Sequence, residues 1–432
     1  MSFEQSVIVR KRIAVIGAGI SGMAAAHELA KDHSVVLFEA GQRLGGHART
    51  RMGGKNGDQA VDTGFIVFNY ANYPYLAALF AELDVPVTES NMSFGASIDG
   101  GRFEYGLASL QALFAQPKNI LNPKFLRMIR DVLKFNRHGL RLAQKDGLTV
   151  GGLIESLGAG SYFRDYYLLP LSGAIWSTPT EKIIDFPARA MMTFFENHAL
   201  LGIRGQHQWF TVDGGSKEYV SRLGTSMAER GVLIRLGARV DAVRRSEICV
   251  TIKVAGSEWE AFDEVIFATH SDDSLALIDD PTTFEKTMLG AVKYQSNKIV
   301  LHSDVSIMPK RKSVWSSWVY CEDSNKQSDN IDLTYWMNKL QPWLQDDPLF
   351  VTLNTTRDID PDLIWDKVTL RHPVYDLQAI AAQKSVVAVN GSNRTWFCGA
   401  WVKNGFHEDG IGSAMDVVSA IRTRNAIKLA AE

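Results

Sequence analysis

The chain is 432 residues long, 46% apolar and 10% aromatic, with a formal net charge of −2. That length allows two or three domains, and that apolar fraction allows a sizeable core. The balanced charge, with no long basic run and only short scattered clusters such as Lys11-Arg12 and Arg244-Arg245, argues against a nucleic-acid partner.

Cys249, Cys321 and Cys398 are too widely spaced for a disulfide framework or a zinc ribbon, and read as reduced thiols. The N-terminal stretch lacks signal-peptide shape, because Glu4 comes early and Arg10, Lys11 and Arg12 break its apolar run. No apolar run approaches the roughly 20 residues of a membrane span. The expectation is a soluble, cytoplasmic protein, with peripheral membrane contact left open. The ten histidines show no HxxxH or HxH pair, so no metal site is expected.

In chain order, residues 12–17 (RIAVIG) predict a short buried strand, β-branched and ended by glycine. Residues 20–32, rich in alanine, predict a helix. Residues 34–39 (SVVLFE) predict a second buried strand. Strand, tight turn, helix and strand make the first half of a doubly wound unit. Residues 72–90 read as helix, 93–106 as strands about glycine turns, and 107–204 as mostly helix. Strand signals return over 208–270, around a helix at 216–230. Residues 294–370 mix short strands with tryptophan-rich segments. NRTWFCGAW predicts a strand and SAMDVVSAIRTRNAIKLAAE a long terminal helix. The expected fold is α/β: a discontinuous Rossmann-type nucleotide domain (8–70, 205–275 and 385–432) with an inserted α+β substrate domain (71–204 and 276–384).

The first turn carries Gly17, Gly19 and Gly22 in a GxGxxG pattern. Gly17 permits the tight turn, Gly19 lets backbone approach a pyrophosphate, and Gly22 lets the helix pack close to the strand. The helix N-terminus offers free N–H groups to phosphates. Glu39 ends the next strand, where a carboxylate accepts ribose hydroxyls and repels a 2′-phosphate. An ADP-ribose half is implied, and both NAD and FAD contain one. Beyond Glu39, the Gly45-Gly46 doublet lets a second stretch of backbone approach the pyrophosphate. Arg43 can add charge-assisted hydrogen bonds.

GAGISGMAAAHEL…LFEAGQRLGGHART resembles the FAD-binding amine oxidoreductase and phytoene desaturase superfamily. TWFCGAWVKNGFHEDGIGSAMDVVSAI, residues 395–421, is similar to a bacterial branch of amine-oxidase-like flavoproteins. VDTGFIVFNYANYPYLAALFAELDV and LTYWMNKLQPW look like that branch too. The resemblance implies FAD, with Gly17, Gly19, Ser21 and Gly22 at the pyrophosphate and Glu39 on the adenosine ribose. Arg43, Gly45, Gly46 and His47 would follow the phosphates toward the ring. Asp62-Thr63-Gly64-Phe65 resembles the segment near the isoalloxazine, and Val240 the strand whose backbone meets adenine. Gly399 and the Gly410-Ile411-Gly412 turn resemble the C-terminal flavin contacts. One departure is Ala400, where many members carry an acid. Either Glu408 or Asp409 substitutes, or backbone and water make that contact.

The Gly410–Gly412 turn is expected to precede a helix beginning near Ser413, whose N-terminus would stabilise negative charge on the flavin. An ordinary capped helix is the plainer reading. His407 reads either as an acid or base beside substrate, or as a structural histidine bound to a carboxylate. Trp315, Trp318, Tyr320, Tyr335, Trp336 and Trp343 read as core before channel lining. Residues 162–176 read as packing against the flavin domain before a membrane-dipping surface. The expected protein is an FAD-dependent oxidoreductase that exchanges a hydride between flavin N5 and a C–H bond of a small hydrophobic substrate. A lipid or fatty-acyl desaturation, saturation or double-bond isomerisation fits. A flavin amine oxidase using O2 is the first alternative, and a non-catalytic flavin-binding protein the second. The oligomeric state is not set by the sequence.

Overall fold

The computed structural model describes residues 9–202, 205–323, 331–345 and 347–431. The apolar strand Arg12–Ile16 lies at the middle of a five-stranded parallel sheet. Its order is Leu233–Arg235, Ser34–Phe38, Arg12–Ile16, Glu264–Phe267, Thr395–Phe397. The inner strands are buried along nearly their whole length, as a parallel sheet covered on both faces requires. Alternation splits the central strand between two cores. Ile13 and Val15 face the helix Ile20–Leu29 and the terminal helix, while Ala14 and Ile16 face Val243, Ile252 and Met288. This is the doubly wound sheet, and its strands come from three separated parts of the chain.

A second, seven-stranded sheet runs from Ile364–Val374 through Lys293–His302 to Phe94–Ile98 and Phe103–Gly106. Helices between residues 123 and 197 cover it and form the largest core, around Tyr105, Phe135, Phe163 and Phe195. We propose to keep the division into 8–70, 205–275 and 385–432 against 71–204 and 276–384. Leu76, Leu79 and Phe80 add to the core of the first unit on one face, and Ala379 and Val386 on the other. Among the described residues, no helix is long and apolar enough to cross a membrane.

Three expectations need correcting. Residues 72–90 are not one helix: it stops at Glu82, and Val87–Ser90 is a strand paired with Trp209–Val212. Pro86 lacks an N–H and turns Val85 away from helical geometry. Residues 162–176 pack inside the second core, with Phe163, Tyr167 and Trp176 among Phe103, Phe186 and Phe194, rather than against the nucleotide sheet. The terminal helix begins at His407, six residues before Ser413. Its third residue, Asp409, reaches back to accept the Phe406 N–H at 2.9 Å, which is half of a capping box. Gly410 and Gly412 therefore lie inside the helix. A Cβ on Gly410 would stand 2.8 Å from Ser21 Oγ, so glycine there lets the first and last helices meet.

The tryptophan-rich segments sit in cores, as expected. Trp318 and Tyr335 meet edge-on at 5.2 Å against the largest core, and Trp315 and Trp336 do so at 5.3 Å around Phe350. Trp343 donates its indole N–H to the Ala60 carbonyl.

Candidate cofactor and active site

Gly17 takes φ +100°, and a Cβ on Gly22 would stand only 1.9 Å from the Gly17 carbonyl oxygen. A Cβ on Gly19 would meet nothing within 4 Å. The turn is thus closed toward the strand and open away from it, which is the shape of a phosphate cradle at a helix N-terminus. Gly45 and Gly46 form the facing wall. The Gly45 N–H donates to the Ala18 carbonyl at 2.8 Å, and Gly19 and Gly45 form an isolated bridge. Arg43 braces this wall: its guanidinium donates to the carbonyls of Leu44, Gly46 and Ala48. Ser21 is buried where the first and terminal helices meet.

Glu39 is half-buried at the end of its strand. Its carboxylate accepts the N–H groups of Ala18 and Gly41, each at 2.8 Å. It therefore joins the first turn to the next loop and keeps lone pairs for a ribose. The Glu39 carbonyl accepts the Ala238 N–H, which brings the strand Val240–Arg245 alongside. Val240 opens that strand, in a small antiparallel sheet, with its side chain in the core. The two glycine turns, Glu39 and Val240 are thus neighbours.

The other end of the cleft is built from four distant segments. The His47 carbonyl accepts the Phe65 N–H at 3.1 Å, and a Cβ on Gly64 would stand 1.9 Å from that same oxygen. The Phe65 ring stacks on the His407 imidazole, centroids 3.8 Å apart and 17° from parallel. His407 Nε2 pairs with the Tyr219 hydroxyl at 2.9 Å. Gly399 donates its N–H to Ser413 Oγ at 2.9 Å, which ties the strand end to the terminal helix. Ile411 packs in the core shared with the first helix. The free N–H groups of the terminal helix belong to its first turn, at His407–Asp409, rather than to Gly410–Gly412. Neither acid near Ala400 is free to replace the missing one. Glu408 accepts the N–H groups of Tyr75 and Leu76, and Asp409 that of Phe406.

Two further histidines converge here that linear spacing did not reveal. The His47 ring lies 5.7 Å from His270 and 5.4 Å from His372. Burial lowers all four imidazoles, with His270, His372 and His407 at about 3, so they stay neutral near pH 7. Their hydrogen bonds select tautomers. His47 Nε2 faces the Arg371 carbonyl at 3.1 Å, so it carries the proton and leaves the Nδ1 lone pair free. His372 Nδ1 accepts from the Asn297 amide at 2.7 Å, so its Nε2 carries the proton. Asn297 is oriented by donating to the Ser177 carbonyl and accepting from Asn354. These rings lie deep in the molecule yet keep part of their surface open, as groups lining an internal cleft do. His270 and His372 sit on segments more than 200 residues from His47, and no sequence spacing joins them.

Asp62, just before this segment, is fully enclosed. It accepts from Thr50 Oγ1, Ser216 N and Oγ, and Gln341 Nε2. Burial raises it to about 6. His270 also lies beside Asp272 and Asp273, but the Arg371 guanidinium engages both carboxylates.

Residues 20–312 match the family described as flavin containing amine oxidoreductase. An FAD-dependent oxidoreductase of Emericella nidulans, dbaF, is 38% identical over 109 residues, which is 24% of this chain and 22% of that protein. The chain therefore matches less than a quarter of that relative's length. A fatty acid isomerase from P. acnes superposes with a TM-score of 0.66 over 95% of this chain and 98% of that one, at 14% identity. A putrescine oxidase variant superposes with a TM-score of 0.70 over 96% and 99%, at 15% identity. At these identities the two structures share the fold with this chain.

Proposed function

This chain belongs to the flavin-containing amine oxidoreductase family, and we propose on that footing that it oxidises, reduces or isomerises an acyl or other hydrophobic substrate. Its cofactor is FAD. The open face at Gly19, the closed contact at Gly22 and the facing Gly45-Gly46 wall fit the dinucleotide's pyrophosphate. Glu39 suits the ribose. Phe65, His47 and the first turn of the terminal helix suit the ring end.

When bound, the flavin supplies hydride exchange at N5 with a substrate C–H bond. This chain's own residues set the field and orient what binds. The first-turn N–H groups of the helix at His407 offer partial positive charge. His47 Nδ1 offers a lone pair and His372 Nε2–H a hydrogen-bond donor, so the two can orient a substrate or a bound water. Phe65 and His407 close one wall against water.

The observation that carries the hydrophobic-substrate reading is the lack of charge on this wall. Phe65, His47, His372 and His407 are neutral, the Asp62 carboxyl is enclosed by its own donors, and the carboxylates nearest His270, on Asp272 and Asp273, are both engaged by Arg371. A cationic amine finds no carboxylate partner among these groups. The test is mass spectrometry of small molecules released on denaturation, together with peroxide measurement over panels of amines and acyl chains. Acyl ligands and no amine-dependent peroxide are expected. Amine-driven peroxide release with no acyl turnover would replace this reading with amine oxidation.

A further inference from the structure

A groove of about 570 Å³ is lined by Phe406, the residue that precedes His407. That volume is in the range of small-molecule sites. Its floor is aromatic. Phe406 stacks on Phe194 at 4.8 Å and 18°, Phe194 stacks on His198 at 3.8 Å and 24°, and the buried Tyr73 lies beside them. His198 is neutral, lowered by burial to about 4. Its Nδ1 is committed to the Phe194 carbonyl. The floor is thus aromatic and without net charge.

The rim is charged, and its charges are not equally free. Glu408 and Asp409 spend their oxygens on backbone N–H groups, and burial raises both toward the neutral form. Asp146 pairs with Arg189 at 3.0 Å. Among the described residues, Lys145 and Lys384 are exposed and have no ion pair. Two free ammonium groups therefore stand over an aromatic trough, with the rim acids already engaged. That pattern is complementary to a chain that is apolar along its length and anionic at one end.

We propose that this groove admits a single fatty-acid chain, its carboxylate held by Lys145 and Lys384 and its methylenes laid over Phe194 and Phe406 toward the cleft at His407. This rests on the hydrophobic-substrate reading above and names its head group. Phe406 lines the groove, and the next residue, His407, stacks on Phe65. An amine of equal length would meet the same floor but two like charges at the rim.

The experiment uses the FAD-loaded protein and monomeric oleate, oleylamine and oleamide, with binding read from quenching of tryptophan fluorescence. Oleate is expected to bind most tightly, with affinity rising roughly fourfold per added methylene across shorter saturated acids. Lys145→Glu with Lys384→Glu, both exposed, is expected to weaken oleate at least tenfold and leave oleamide unchanged. Oleylamine binding as tightly as oleate, or oleate indifferent to the double charge reversal, overturns the proposal. So does binding to phosphatidylglycerol vesicles with none to monomeric oleate, which would make the groove a membrane contact. Colourless protein lacking FAD, or peroxide release driven by amines, would defeat the functional reading instead, whatever the oleate affinity.

Discussion

The backbone N–H of Gly45 donates to the carbonyl of Ala18 at 2.8 Å, which stitches the second glycine turn onto the first. Gly46 is thereby pressed so close that a Cβ would stand 2.9 Å from Gly19 Cα, at φ +55°. Left-handed backbone costs a side-chain-bearing residue about 1–2 kcal/mol even without a clash. Gly46→Ala is expected to weaken FAD binding roughly tenfold or more. Flavin absorbance relative to protein absorbance reads the occupancy, and full occupancy would show that the two turns do not form one cradle.

Glu39 joins Ala18 to Gly41 through both its oxygens. Charge-assisted bonds of this kind contribute about 1.5–3 kcal/mol each. Glu39→Ala should lower FAD affinity by roughly tenfold to a hundredfold, and Glu39→Gln by less, because one acceptor oxygen survives. Dialysis against bromide followed by FAD titration measures it. Unchanged affinity for the alanine variant would remove Glu39 from the site.

His407 touches both Phe65 and Tyr219. His407→Ala should slow turnover roughly tenfold, by opening the wall it forms with Phe65 to water, while FAD stays bound. Because burial holds this imidazole at about 3, it contributes no limb to the rate profile between pH 5 and 9. A full rate in the variant would leave His407 a packing residue.

Acid should destabilise this protein. His198, His270, His302, His372 and His407 lie at about 3 to 4 in the fold, against an ordinary 6.5. The unfolded chain takes up those protons below 6.5 and the folded one does not. Their stability is present above 6.5 and lost as pH falls toward 4, by up to about 1.4 kcal/mol per unit for each ring. Asp62, raised to about 6, acts in the opposite sense between 6 and 3.8 and offsets one of them. Scanning calorimetry from pH 7.5 to 5.5 should show Tm falling by roughly 10 °C. A flat Tm would mean that these rings protonate in place.

Arg49 is buried and grips Asp366 through two guanidinium nitrogens, linking the first glycine-rich segment to the long strand Ile364–Val374. Arg49→Ala should cost about 2 kcal/mol of folding stability, because it leaves the partly buried Asp366 carboxylate with only the more exposed Arg51 guanidinium at 3.5 Å. Arg49→Lys recovers little, since one ammonium cannot satisfy both oxygens. Urea unfolding measures both, and a loss under about 0.5 kcal/mol for the alanine variant would show the pair to be a surface contact.

The strand–turn–helix–strand unit at residues 12–39 was legible because every signal in it is local. Chain alternation buries Ile13 and Val15 on one face and Ala14 and Ile16 on the other, and glycine at 17, 19 and 22 is needed for backbone reasons alone. The start of the terminal helix was misread because Gly410 and Gly412 look like a turn in isolation. Their real constraint is a helix 390 residues away, whose Ser21 leaves no room for a Cβ.

By itself, then, the sequence determined an ADP-binding α/β fold, written in short-range glycine spacing and short apolar runs, and the resemblance of its motifs pointed to the family and to FAD. Tertiary structure alone decided which side chains face the cleft. His47, His270, His372 and His407 meet only because separate segments converge there, and Asn297 and Arg371 then fix where two of their protons sit. Protonation and tautomer follow from burial and from partners distant in the chain, and neither is a property of local sequence.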